Sequence, residues 1–154
     1  MSVDQFIDRT HGRTDTFFGE GLVAHVSMAD PVCPRLSGLA ADAAVAAGAM
    51  VHRGGCYLAM QGPQFSTRAE SHMHRQWGGD VIGMTCMPEA KLAREAELCY
   101  ALIALPTDYD CWRPVDPDRL HHDLLSEILG NLNRATENAI ALIREALKLL
   151  CGPP

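Results

Sequence analysis

The chain has 154 residues, 47% of them apolar and 21% charged, with a formal net charge of −6. That length suits one domain with a real core, and the composition is ordinary for a soluble globular protein. The acidic balance argues against a nucleic-acid or anionic-membrane partner, no apolar run reaches membrane-spanning length, and the N-terminus lacks a signal-peptide pattern, so a cytoplasmic location is expected.

The chain starts abruptly. SVDQFID (2–8) reads as a strand with no cap or turn before it, and the polar, Gly-containing RTHGRTDTFFGEG (9–21) reads as a long loop. GLVAHVSM (21–28) predicts a strand, ADPVCP (29–34) a turn, and the Ala-rich RLSGLAADAAVAAGA (35–49) a helix ending near Gly48. MVHRGG (50–55) and CYLAMQG (56–62) predict two short strands, followed by the turn GPQFS. TRAESHMHRQWGG (67–79) is a helix with a defined start, because Thr67 and Glu70 have capping-box spacing, and Gly78-Gly79 stops it. DVIGMT is a short apolar strand, and Pro88 suits the first helical position of PEAKLAREAE. CYALIAL (99–105) has the composition of a buried strand, and the loop TDYDCW follows it. Asp116-Pro117 is expected to open a last helix over roughly 118–149. Its Leu124, Leu125, Ile128, Leu129, Leu132, Leu142, Ile143, Leu147 and Leu150 recur at helical spacing and read as core, with Gly130 as a candidate kink.

Strands alternating with helices predict an α/β layered fold with a largely parallel sheet in a single domain over 1–154. The six cysteines, at 33, 56, 86, 99, 111 and 151, form no C-x-x-C pair and read as reduced thiols. The seven histidines include His72-Met73-His74 and His121-His122, but no ligand spacing typical of zinc, so no metal is expected.

In such sheets, ligands bind beyond the carboxyl ends of the strands. Three loops therefore matter: GPQFS, the MTCMP turn and TDYDCW. They bring Phe65, Ser66, Met84, Thr85, Thr107, Asp108 and Asp110 together, a set that suits a neutral heteroaromatic ligand bearing hydroxyls better than a polyanion. If 107–110 stays extended, Asp108 and Asp110 face the same way. Two carboxyl groups that close favour one keeping its proton, which can then donate to a base nitrogen while the other accepts from an amino group. Adenine offers both features along one edge. The alternative from these residues alone is two aspartates bonding loop amides.

The runs GPQFSTRAES, WGGDVIGMTCMPEAKLAREAELCYA and TDYDCW, with DQFIDRT and MADPVCP, resemble the methylthioadenosine phosphorylases of the trimeric purine nucleoside phosphorylase family over essentially the whole chain. The resemblance implies a mixed, largely parallel nucleoside phosphorylase-like sheet flanked by helices and lacking its N-terminal strands. It implies phosphorolysis of S-methyl-5′-thioadenosine to adenine and 5-methylthioribose 1-phosphate, with inorganic phosphate as co-substrate, no cofactor, and a homotrimer. By the same resemblance Asp108 is the leaving-group acid at purine N7, Asp110 supports it and the 6-amino group, and Thr107 and Tyr109 belong to the same substrate loop. Phe65 packs on the base, Met84 contacts the ribose and Thr85 donates to phosphate. His25 reaches a neighbouring subunit's site. For Phe65 and Met84 a plain core role is the competing reading.

Ser66 with Asp108 favours a 6-aminopurine, since 6-oxopurine relatives carry Glu and Asn there. His121 stands where methylthio-specific members are apolar, which keeps adenosine open as a substrate. Members of the family also carry a segment before DQFID that grips phosphate, and the scattered Arg9, Arg13, Arg35 and Arg53 do not replace it. Met1 therefore reads as the start of a truncated product, a misassigned start or a fragment, and an inert base-binding remnant and a water-using hydrolase stand as further alternatives.

Overall fold

The computed structural model describes residues 1–114 and 121–152. The expected helix start at Asp116-Pro117 and the side chain of His121 lie outside the described residues. Two small sheets organise the chain. In the first, β1 (Ser2–Val3) pairs antiparallel with β5 (Leu102–Ile103), with Ser2 opposite Ile103. In the second, β2 (Gln5–Arg9), β3 (Cys56–Met60) and β4 (Val81–Gly83) run parallel in that order. Parallel neighbours need long crossovers. Here α1 (Pro34–Ala46) lies between β2 and β3, α2 (Arg68–Gln76) between β3 and β4, and α3 (Glu89–Glu95) between β4 and β5. A final helix, α4 (His121–Leu150), lies against α1.

The expected single strand SVDQFID is two strands in two sheets. The chain changes sheet at Asp4, whose carboxylate accepts from the Gly55 amide at 3.0 Å. The N-terminal ammonium donates to the Ala104 carbonyl at 2.8 Å, and the Ala104 amide donates back to Met1 at 2.9 Å, which extends the β1–β5 ladder. β3 is the central strand: Tyr57, Leu58 and Ala59 are buried, as a strand covered on both faces requires. Tyr57 and Ala59 join Val3, Cys86, Met87, Ala90 and Ala104 in one core cluster, with Phe6 and Tyr100 packed against it, while Leu58 is buried on the other face of β3.

Three strand expectations fail for one reason. GLVAHVSM forms no strand, 50–55 contributes only an isolated bridge from Arg53 to Ser2, and of CYALIAL only Leu102 and Ile103 are strand residues, with Ala104 bonded beyond them to Met1. β-propensity needs a neighbouring backbone to pair with, and the short β1 offers β5 only two residues.

The helices follow their local signals more closely. Thr67 caps α2: its side chain accepts from the Glu70 amide at 3.2 Å, while Glu70 accepts from the Thr67 amide at 2.8 Å, an arrangement that contributes about 1 kcal/mol. Pro88 is the cap of α3 rather than its first helical residue. The Ala40, Ala41, Ala43 and Ala44 face of α1 is buried, and its small side chains let α4 come close. α4 runs without interruption through Gly130.

The α4 stripe departs from expectation. Leu142 is buried and Leu124 and Ile128 are half-buried, whereas Leu125, Leu129, Leu132, Ile143, Leu147 and Leu150 are exposed. Among the described elements α1 makes the main contact with α4, and only part of the stripe is covered. Full burial of a leucine stabilises by about 1.5–3 kcal/mol, and the uncovered side adds little of that. Among the described residues no helix is long and apolar enough to cross a membrane.

Candidate active site

A cavity of about 970 Å³ opens beyond the carboxyl ends of β3 and β4 and is walled by α2 and the loop after β5. Phe65, Ser66, Met84, Thr85, Thr107, Asp108, Tyr109 and Asp110 all line it. A second cavity of about 790 Å³ lies toward α1 and α4 and shares the segment from Ile103 to Tyr109. His25 is exposed and lines neither. The core reading of Phe65 does not hold, since the side chain is 85% exposed at the cavity wall; Met84 is half-buried.

The two carboxylates sit in different surroundings. The chain bends at Asp108 instead of staying extended. Asp108 is exposed, and its Oδ1 accepts from the Thr107 hydroxyl at 2.7 Å. Asp110 is half-buried: Oδ2 accepts from the Ser71 hydroxyl at 2.6 Å and Oδ1 from the Cys111 amide at 2.8 Å. The same loop is tied at further points. Cys111 Sγ donates to the Ser66 carbonyl at 3.3 Å, and Asn131 Nδ2 of α4 donates to the Thr107 carbonyl at 2.6 Å.

The loop is also clamped by stacking. The Arg75 guanidinium lies 3.9 Å from the Trp112 ring centre, Trp112 meets Tyr109 edge-on at 5.9 Å, and Arg113 covers Tyr109 at 4.4 Å. Cation–π contacts of this kind contribute about 0.5–2 kcal/mol each.

On the opposite wall, the Thr85 hydroxyl is 3.2 Å from the Tyr57 hydroxyl. Burial pushes the Tyr57 phenol up, so it stays protonated and available as a donor. The approach demands glycine at 83, because a Cβ there would lie 2.0 Å from the Tyr57 oxygen. Arg13 ties both loops. Its guanidinium donates to the carbonyls of Met84 at 3.0 Å, Met87 at 2.6 Å and Gln61 at 3.0 Å, and Nε donates to the Gln61 side chain at 3.1 Å. Among the described residues no three His, Cys, Asp or Glu side chains gather as a metal cluster would.

His74 lines the cavity, is 7% exposed, and has no hydrogen-bond partner for Nδ1 among the described residues. Burial, and then the Arg9 charge, lower its pKa from 6.5, while Glu70 and Asp110 pull the other way. The native state therefore resists a proton that the unfolded chain accepts below about pH 6.5. Stability falls as pH drops from 7 and levels off once the native His74 is also charged. His74→Leu is expected to reduce that slope, measured as urea stability between pH 7 and 5. An unchanged slope would show that His74 contributes nothing to it.

Sequence reasoning missed Tyr57, Ser71, Arg75 and Arg13. Ser71 and Arg75 carry a weak local signal, since they follow the Thr67 cap at four and eight positions and so share a helix face. Tyr57 and Arg13 carry none.

A cavity that brings an exposed aromatic, hydroxyl donors and two differently held carboxylates to the carboxyl end of a parallel sheet suits a polar heteroaromatic ligand. A family model described as the phosphorylase superfamily matches residues 1–148. The chain belongs to the phosphorylase superfamily. Curated superfamily relatives include the S-methyl-5′-thioadenosine phosphorylase of Thermosynechococcus vestitus, 54% identical over 98% of this chain and 52% of the relative. That of Cereibacter sphaeroides is 55% identical over 92% of this chain and 47% of the relative. The chain thus spans about half the length of the curated relatives it matches. A methylthioadenosine phosphorylase from an antarctic soil metagenomic library superposes with a TM-score of 0.83 at 45% identity, over 99% of this chain and 54% of that one. A mutant adenosine/methylthioadenosine phosphorylase of Schistosoma mansoni, in complex with methylthioadenosine, gives 0.87 at 32% identity, over 99% and 58%. The nucleoside phosphorylase-like fold expected from the sequence is thereby established.

Proposed function

We propose that this chain is the base-reading portion of a nucleoside phosphorylase domain acting on S-methyl-5′-thioadenosine, releasing adenine and 5-methylthioribose 1-phosphate. The supporting observation is the single cavity that gathers Phe65, Ser66, Met84, Thr85, Thr107, Asp108, Tyr109 and Asp110. In this reading phosphate attacks the anomeric carbon as the bond to purine N9 breaks, through an oxocarbenium-like transition state. Negative charge grows on the departing purine, and a proton from the Asp108 carboxyl group to N7 stabilises it. Among the described residues the hydrogen bond to Asp108 comes from its neighbour Thr107. Asp110, fixed by Ser71 and Cys111, accepts from the 6-amino group. Phe65 covers the base, Met84 meets the ribose, and Thr85, backed by Tyr57, donates to phosphate.

The reaction needs no cofactor, inorganic phosphate being the co-substrate. The working form is a cytoplasmic homotrimer in which His25 completes a neighbour's site and His121 borders the 5′ group. Adenosine is a second substrate in this reading, in line with the dual name of the Schistosoma mansoni relative.

The test is adenine release from S-methyl-5′-thioadenosine by the purified chain, with and without phosphate, with adenosine alongside. Release that depends on phosphate is expected. Equal release without phosphate would replace phosphorolysis by hydrolysis. No release from a folded chain would reduce the assignment to base binding.

A further inference from the structure

We propose that Ser71 is a positioning residue that turns Asp110 into a fixed acceptor and so sets the preference for a 6-amino over a 6-oxo purine; this rests on the base-binding reading above. Ser71 is 1% exposed and sits one turn into α2, where its amide is already bonded to the Thr67 carbonyl. Its hydroxyl has one proton, and that proton goes to Asp110 Oδ2 at 2.6 Å. With the Cys111 amide on Oδ1, each carboxylate oxygen holds one protein donor. Two donors on opposite oxygens fix the rotation of the carboxylate plane. Each oxygen keeps a free lone pair, so Asp110 presents acceptors alone to the cavity. A purine amino group satisfies such a wall, whereas a carbonyl oxygen meets it lone pair to lone pair.

Arg75, one turn further on the same face of α2, stacks on Trp112 and ties the loop to the helix that carries Ser71. Among the described residues Asp108 accepts one hydrogen bond, from the neighbouring Thr107. Among the described residues Asp110 thus holds two protein donors and Asp108 one.

The experiment measures adenine and hypoxanthine binding by calorimetry for the wild-type chain, Ser71→Ala and the isosteric, weakly donating Ser71→Cys. Hydrogen exchange at the Cys111 amide supplies a readout that needs no ligand. Loss of the donor is expected to cut the adenine-to-hypoxanthine preference about tenfold in both variants and to speed Cys111 exchange, because Asp110 rotates away. A preference and an exchange rate unchanged in Ser71→Ala would overturn the proposal. If the wild-type chain binds neither base, the base-binding reading fails while Cys111 exchange still decides whether Ser71 positions Asp110. A variant that melts early but keeps the wild-type preference would make Ser71 a packing residue only.

Discussion

Asp108→Asn should lower phosphate-dependent adenine release by about 10²–10⁴-fold, the usual loss when a general acid is removed. Asparagine keeps the size of the side chain and can still donate an N–H, but it cannot hand over a proton. The substitution therefore separates hydrogen bonding to N7 from protonation of the leaving base. The fold should barely register it. Asp108 is exposed, stands at a bend, and holds Thr107 Oγ1 from the neighbouring residue. A surface change of this kind shifts stability by no more than about 0.5 kcal/mol. The measurement is the rate with S-methyl-5′-thioadenosine, beside a melting curve. A full rate would remove Asp108 as the acid.

Arg13→Met should cost about 2–4 kcal/mol of stability, the largest such effect expected from a polar side chain here. The guanidinium serves the carbonyls of Gln61, Met84 and Met87, which follow β3 and β4. Hydrogen bonds to a charged donor are worth about 1.5–3 kcal/mol each, and a buried acceptor left alone loses its solvation without compensation. Methionine fills the space of the stem and offers no donor. In a domain of this size the loss corresponds to a melting temperature lower by roughly 5–15 °C. Arg13→Lys should recover less than half, because an ammonium cannot reach the same acceptors in one planar fork. Since those carbonyls set the loops bearing Phe65, Met84 and Thr85, ligand binding should weaken with stability. Wild-type melting in Arg13→Met would mean that water or neighbouring side chains take over the carbonyls.

The weak strand signals of 21–28 and 50–55 show where local reading fails. Both segments have strand-like apolar composition, yet neither has a ladder partner along its length. The α4 stripe fails differently. Its period is right, but period reports only that an apolar face exists, not which neighbour covers it. Leu142 and Leu129 read alike in sequence, and one is buried while the other is exposed.

Local sequence encodes the alternation of strands and helices, the start of α2 at the Thr67–Glu70 box, and the three loops that line the cavity. These follow from neighbours a few residues apart, or from runs that resemble the family. Tertiary structure alone decided how the two aspartates differ and what holds the loops. Ser71 meets Asp110 across 39 positions, and Arg13 meets its carbonyls across 48 to 74. A hydrogen bond needs heavy atoms about 3 Å apart. No spacing rule within a strand or helix fixes atoms that closely across such separations, because only the packing of the sheet and its crossovers brings them together.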